Sequence, residues 1–287
     1  MSAKNPEYDF NWCPGCGDFA VRRALEWALQ ARTQKLEVPM TNNVIVTGIG
    51  CSGNLVHLIE GEQPFGFHGI HGRTLPVAFG IKSSRPEVNV VVVAGDGDFL
   101  SIGLEHIGPQ AQRNIDVACI VIDNGIYGLT KGQSSPTTRR GFRTATTPYG
   151  KIEQEVAPLP LYLALDVSFV ASHFSGRPRD LAKLIERAMD HRGFAIVHVA
   201  SPCPTYNDTT ELLRGNPRKG IPPLVWDVPE DHDPTDRAAA AELVARPGVP
   251  LGLLYVNERP TFNDRLDEAT AGARVKGTRE LLESHVI

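Results

Sequence analysis

The 287-residue sequence has no apolar run near the roughly 20 residues that a membrane-spanning helix requires. Its longest, Val88 to Ala94 and Val117 to Ile122, are the size of strands. No charge of one sign dominates either. A net charge of -4 and a pI near 6.1 give no general attraction to nucleic acid. The opening segment, MSAKNPEYDFNW, lacks the apolar stretch of a secretory signal, so a cytoplasmic protein is expected. Internal repeats and low-complexity tracts are missing. Cysteine is scarce, at five residues, and in a reducing compartment such residues serve better as metal ligands or redox groups than as disulfides. The hydrophobic fraction of 41% and charged fraction of 22% are those of an ordinary globular protein. Arg139, Arg140 and Arg143 form the basic cluster to name; they read as a solvated loop, or as a contact for a phosphorylated substrate or partner protein.

Four β-rich runs stand out: Asn43 to Thr47, Val88 to Ala94, Val117 to Ile122 and Ala195 to Val199. Each is nearly continuous in apolar residues, as strands covered on both faces are. Helical patterns lie between or beside them at Asp18 to Ala31, Thr74 to Ser83, Ser101 to Arg113 and Arg179 to Arg192. This alternation predicts an α/β fold with a doubly wound, mostly parallel sheet. Ligands in such sheets sit beyond the C-terminal strand ends. From Gly215 the composition turns proline-rich, with Pro217, Pro222, Pro223, Pro229 and Pro234 close together. Residues 1–214 are therefore expected to form the binding domain. Residues 215–287 are expected to be an extended arm with one helix, Thr235 to Ala245, covering a partner subunit.

Val90 to Ala94 runs into Gly95-Asp96-Gly97-Asp98, and a helix follows. Glycines let a ligand approach the backbone, and a helix N-terminus favours an anion. A diphosphate beside Asp96 would need a hard cation between the two anionic groups, and Mg²⁺ prefers oxygen ligands. Asn124, at the end of the next strand, offers a second oxygen and a carbonyl near Ile126 a third. Acidic-glycine turns are common, so GDGD alone also reads as a plain turn. Gly48-Ile-Gly-Cys-Ser-Gly53 matches GxGxxG after a strand, but no acidic residue follows in the expected context about 20 positions on.

Cys13 and Cys16 in CPGCG can present two thiolates from one turn. Cys51 and Cys203 follow separate strands, so all four could meet at one sheet edge. The cysteines alone leave zinc and iron–sulfur both open, since each accepts four thiolates. Cys119, inside an apolar run, is the one left over and reads as a small buried core residue.

Together CPGCG, GDGD and Asn124 in DNGIYGLTKGQSSPT resemble the thiamine-diphosphate-binding β subunit of 2-oxoacid:ferredoxin oxidoreductases. The resemblance covers roughly Asn11 to Asn207. It implies thiamine diphosphate with Mg²⁺ held by Asp96, Asn124 and the Ile126 carbonyl. Further cofactor contacts are implied at Gly50, Cys51, His68, Gly95, Gly97, Asp98, Gly128 and Leu129. It makes Cys13, Cys16, Cys51 and Cys203 the ligands of a [4Fe-4S] cluster. His71 and Arg73, in HGIHGR, are placed near the reacting centre, although read alone the histidines of that segment are equally ordinary polar loop residues. Lys131 resembles the lysine that 2-oxoglutarate-type members direct at the substrate's distal carboxylate; its bland reading is a solvated loop lysine. The implied reaction is reversible, CoA-dependent oxidative decarboxylation of a 2-oxoacid, with 2-oxoglutarate favoured over pyruvate and ferredoxin receiving the electrons. The glutamate that activates the cofactor is expected on a larger α subunit, in an αβ or (αβ)₂ assembly. A four-cysteine zinc or redox-sensing module is the competing class.

Overall fold

The computed structural model describes residues 10–272 and 277–285; residues 1–9, most of the segment read for a signal, lie outside them. The described strands are β1 (Asn43–Thr47), β2 (Phe65–His68), β3 (Asn89–Gly95), β4 (Val117–Asp123), β5 (Phe169–Phe174), β6 (Phe194–Ala200), β7 (Val225–Asp227) and β8 (Val249–Val256). They lie in the order β2-β1-β3-β4-β6-β5-β8-β7. All pairs from β2 to β5 are parallel, and β8 turns antiparallel against β5.

Two cores cover the sheet because alternate residues of each central strand point to opposite faces. Val91, Val93, Ile120 and Ile122 join Leu25 and Leu29 of the helix Asp18–Leu36 and Leu181, Leu184, Ile185 and Ala188 of the helix Pro178–Asp190. The last four recur at helical spacing and give that helix one apolar stripe. Val90, Val92, Cys119 and Val121 pack on the other face, against Leu75, Ile107 and Tyr162. Cys119 is fully buried there, as its apolar run suggested.

The doubly wound sheet agrees with expectation, with β2 and β5 added to the expected strands, but two of the expected segments differ. The helix anticipated over Ser101 to Arg113 is broken into a wide π-type turn at Asp98–Ile102, a 3-10 turn at Leu104–His106 and a helix at Ile107–Arg113. Gly103 lies at the break, where a Cβ would stand 2.6 Å from the Asp98 carbonyl. The segment after Gly215 is more than an arm. Besides the helix Arg237–Ala245 it supplies β7 and β8, and Leu251, Leu254 and Tyr255 of β8 are buried against the main sheet. Among the described residues no helix is long and apolar enough to cross a membrane.

The chain winds one way from β1 to β2 and then returns across β1 to β3. The crevice between β1 and β3 is therefore the topological switch point, where open α/β sheets bind ligands.

Candidate active site

A cavity opens at that crevice. Its walls come from Ile49 to Ser52 after β1, His71 after β2, Gly95 to Asp98 at the end of β3, and Asn124 and Ile126 to Thr130 after β4. Gly50, Cys51, Gly95, Asp96, Gly97, Asp98, Asn124, Ile126, Gly128 and Leu129 thus come together as the sequence suggested. Gly97 is needed there for space, since a Cβ would sit 2.2 Å from the Tyr127 ring. Asn124 Oδ1 accepts from the Ile126 amide at 3.0 Å, folding the loop back so that both residues border the same space.

Asp96 is 1% exposed. Its Oδ2 is 2.7 Å from Thr137 Oγ1, which is also 2.7 Å from Asp123 Oδ1. One hydroxyl proton cannot serve both carboxylates, so the pair needs a second proton to complete these bonds. Burial, followed by the Asp123 charge, pushes Asp96 up to about 7. Burial also raises Asp123, but the hydrogen bond and charge of His198, together with bonds from Thr137 and the Gly125 amide, outweigh it and hold that carboxyl below its ordinary value. His198 Nε2 lies 3.0 Å from Asp123 Oδ2, and its Nδ1 lies 3.2 Å from the Tyr162 hydroxyl. Thr137, Asp123 and His198 were not legible as site residues. Asp123 and His198 sit in strands that read as plain core, and no local signal marks Thr137.

Asp98 lines the cavity, and its hydrogen bonds run to other loops. Its Oδ1 accepts from His71 Nδ1 at 2.6 Å and from the amides of Gly72 and Ile49 at 2.8 and 3.0 Å. It ties the loops after β1 and β2 to the turn after β3.

The cysteines gather beside the cavity. CPGCG closes a tight turn, with the Cys16 amide donating to Cys13 O at 3.0 Å. Gly17 lets that turn lie on the loop after β6, because a Cβ there would stand 2.0 Å from Ser201 Oγ. Trp12 Nε1 donates to the Cys51 carbonyl at 2.8 Å. A Cβ at Gly128 would lie 3.4 Å from Cys51 Sγ and 3.8 Å from Cys203 Sγ, so this cavity-wall glycine lies directly against both thiols. Asn207 Nδ2 donates to Asn124 O at 2.8 Å, linking the Cys203 loop to the cavity loop. All four of these cysteines are free thiols. Burial, then the neighbouring Asp18 carboxylate, pushes the Cys51 thiol up to about 12 and Cys16 higher. Among the described residues no three His, Cys, Asp or Glu side chains meet closely enough to hold one metal ion.

Three expected site residues stand outside the cavity wall. His68, at the exposed end of β2, pairs its Nδ1 with His57 Nε2 at 2.8 Å. Arg73 donates to the carbonyls of Gly72 and Ile102, each at 3.0 Å, and pairs with Glu105. Lys131 is exposed, on backbone with φ of 81°. Arg139, Arg140 and Arg143 are exposed as well, in a loop beyond the site.

Comparison with known proteins resolves which family uses this arrangement. A family model described as the C-terminal TPP binding domain of thiamine pyrophosphate enzymes matches residues 48–199. Another, described as the C-terminal region of the pyruvate ferredoxin oxidoreductase beta subunit, matches residues 218–271. A 2-oxoacid:ferredoxin oxidoreductase subunit beta from a Sulfolobus species is 36% identical, covering 93% of this chain and 88% of that relative. The chain belongs to the 2-oxoacid:ferredoxin oxidoreductase β-subunit family. A 2-oxoglutarate synthase subunit KorB of Archaeoglobus fulgidus is 40% identical over 68% of this chain and 70% of its own. A 2-oxoglutarate:ferredoxin oxidoreductase from Magnetococcus marinus, solved with 2-oxoglutarate, coenzyme A and succinyl-CoA bound, superposes with a TM-score of 0.85. It is 38% identical, with 98% of this chain and 94% of that one covered. As a member of this family the chain is an oxidoreductase subunit that carries the thiamine-diphosphate-binding domain and works with an α subunit.

Proposed function

We propose that this β subunit serves the CoA-dependent oxidative decarboxylation of 2-oxoglutarate, passing electrons through a [4Fe-4S] cluster to ferredoxin in the cytoplasm. The observation that carries this reading is Gly128, which lines the cofactor cavity and lies against the thiols of Cys51, also in its wall, and Cys203. Thiamine diphosphate would supply the carbon nucleophile and electron sink for decarboxylation, and the cluster a one-electron acceptor.

The donor set fits both groups. Asp96, Asn124 and the Ile126 carbonyl would hold Mg²⁺, an oxygen-only set suited to a hard cation. Gly95 keeps the backbone open to a diphosphate, while Gly97 makes room for the Tyr127 ring. Cys13, Cys16, Cys51 and Cys203 would hold the cluster, and four thiolates each bound to a different iron need not touch one another. Raised thiol pKa values in the free chain fit ligands that become thiolates only when a cation shares the buried space. The apolar wall of the cavity supports an α-subunit contact: Ile49 and Leu129 are each at least 40% exposed. Exposed apolar surface around an open site is usual at subunit interfaces. The α subunit would bring the glutamate that this chain lacks in its cavity, in an αβ or (αβ)₂ assembly.

The 2-oxoglutarate preference rests on the relatives named for that substrate and on the lysine at position 131. A substrate panel tests it: the complex of α and β chains, with CoA and ferredoxin, should form succinyl-CoA from 2-oxoglutarate faster than acetyl-CoA from pyruvate. Faster turnover of pyruvate would overturn the substrate assignment. Steady turnover by cofactor-loaded β chain alone would overturn the need for an α subunit.

A further inference from the structure

Asp98 is tied to other loops by its hydrogen bonds. Its side chain is 1% exposed, and the three hydrogen bonds to its Oδ1 come from other loops: His71 Nδ1 at 2.6 Å, the Gly72 amide at 2.8 Å and the Ile49 amide at 3.0 Å. Oδ2 is buried beneath Gly48, where a Cβ would lie 2.1 Å from it, so the carboxylate cannot swing toward the cavity without moving the loop after β1. His71 contrasts with its partner. Its side chain is 34% exposed and lines the cofactor cavity, with the Tyr127 ring edge-on at 6.3 Å.

An ionised carboxylate only accepts hydrogen bonds, so Nδ1 must carry the hydrogen in this pair. In the neutral ring Nε2 is then left as an acceptor. The Gly72 amide, bonded to the same oxygen, fixes the backbone next to the ring. We propose that Asp98 is the positioning residue of His71, fixing its Nδ1–H tautomer and presenting Nε2 to the substrate side of the cavity. This rests on the 2-oxoacid site proposed above. It reassigns Asp98 from the diphosphate, which the GDGD motif suggested, to His71, which it would position as an acid–base group. The sequence did not reveal the pairing because 26 residues and a complete helix separate the partners.

Two measurements test it. In the full chain labelled with ¹⁵N-histidine, long-range ¹H–¹⁵N spectra should show His71 with hydrogen on Nδ1, its signal assigned by loss in His71→Gln. In Asp98→Asn that tautomer should be lost or mixed. Hydrogen on Nε2 in the wild type, or an unchanged His71 signal in Asp98→Asn, would overturn the proposal. In the αβ complex, Asp98→Asn, His71→Gln and the double variant should each lose kcat by the same factor, on the order of 10²-fold as for a general acid–base group. Thiamine diphosphate affinity should stay within about twofold, well under the 1.4 kcal/mol that a tenfold change represents. Additive losses, or affinity weakened more than tenfold by Asp98→Asn, would return Asp98 to the cofactor. A wild-type complex inactive on every 2-oxoacid would contradict the proposed function, and the tautomer measurement would still decide the Asp98–His71 relationship.

Discussion

Tyr127 donates its phenolic O–H to the Gly97 carbonyl at 3.2 Å, and its ring occupies the space where a side chain on residue 97 would begin. The turn after β3 and the loop after β4 are therefore built as one piece. Gly97→Ala should push the ring out, costing roughly 1–3 kcal/mol as overpacking does. It should also weaken thiamine diphosphate binding. Denaturant unfolding and cofactor titration check this, and a variant unchanged in both would contradict the interlock.

Gly128 sets a graded test at the cysteine wall. A single methyl there would be in ordinary contact with Cys51 Sγ at 3.4 Å, whereas a branched side chain would enter the space of both thiols. Gly128→Ala is expected to retain iron after anaerobic purification and Gly128→Val to lose most of it. Equal iron content in the two variants would place the cluster away from Cys51 and Cys203.

Lys131 combines exposure with a φ of 81°, a conformation that costs an L-residue with a Cβ roughly 1 kcal/mol or more. Lys131→Gly should therefore raise chain stability while removing the charge. If the lysine recognises a distal carboxylate, Lys131→Gly and Lys131→Ala will both lower the kcat/KM ratio of 2-oxoglutarate to pyruvate. An unchanged ratio in both would return it to a solvated loop.

His191 predicts the acid limb of stability. Its ring packs on Phe169 with centroids 5.4 Å apart, Nε2 lies 2.9 Å from Ser168 Oγ, and burial lowers its pKa from 6.5. The folded chain thus takes up this proton less readily than the unfolded one. The stabilisation is present above pH 6.5 and is lost as pH falls toward and through the folded value. Thermal unfolding should show a steeper loss of Tm below pH 6.5 for the wild type than for His191→Gln. Parallel curves would contradict the assignment.

What could be read from the sequence divides along physical lines. β1, β3, β4 and β6 are nearly continuous apolar runs, and their ends fell within one residue of expectation. The loops after β1, β3 and β4 carried their glycines, Asp96, Asn124 and Cys51 to one cavity because parallel strands all finish at the same sheet edge. β2 was missed because FGFH is short and wholly exposed, and β8 because the preceding prolines disguised an apolar strand. The roles of Thr137, Asp123 and His198 depend on hydrogen bonds between separate loops and strands, which no local pattern encodes. Asp98 shows the limit most clearly: its motif pointed at the diphosphate, while its bonds lead to His71.

Electron transfer from the thiamine site to the four cysteines is the central claim, and EPR tests it most directly. Anaerobically purified αβ complex, given 2-oxoglutarate and CoA without ferredoxin, should develop a reduced [4Fe-4S] signal that is absent in Cys51→Ala. No substrate-dependent signal in an iron- and thiamine-loaded complex, or the same signal in Cys51→Ala, would contradict it.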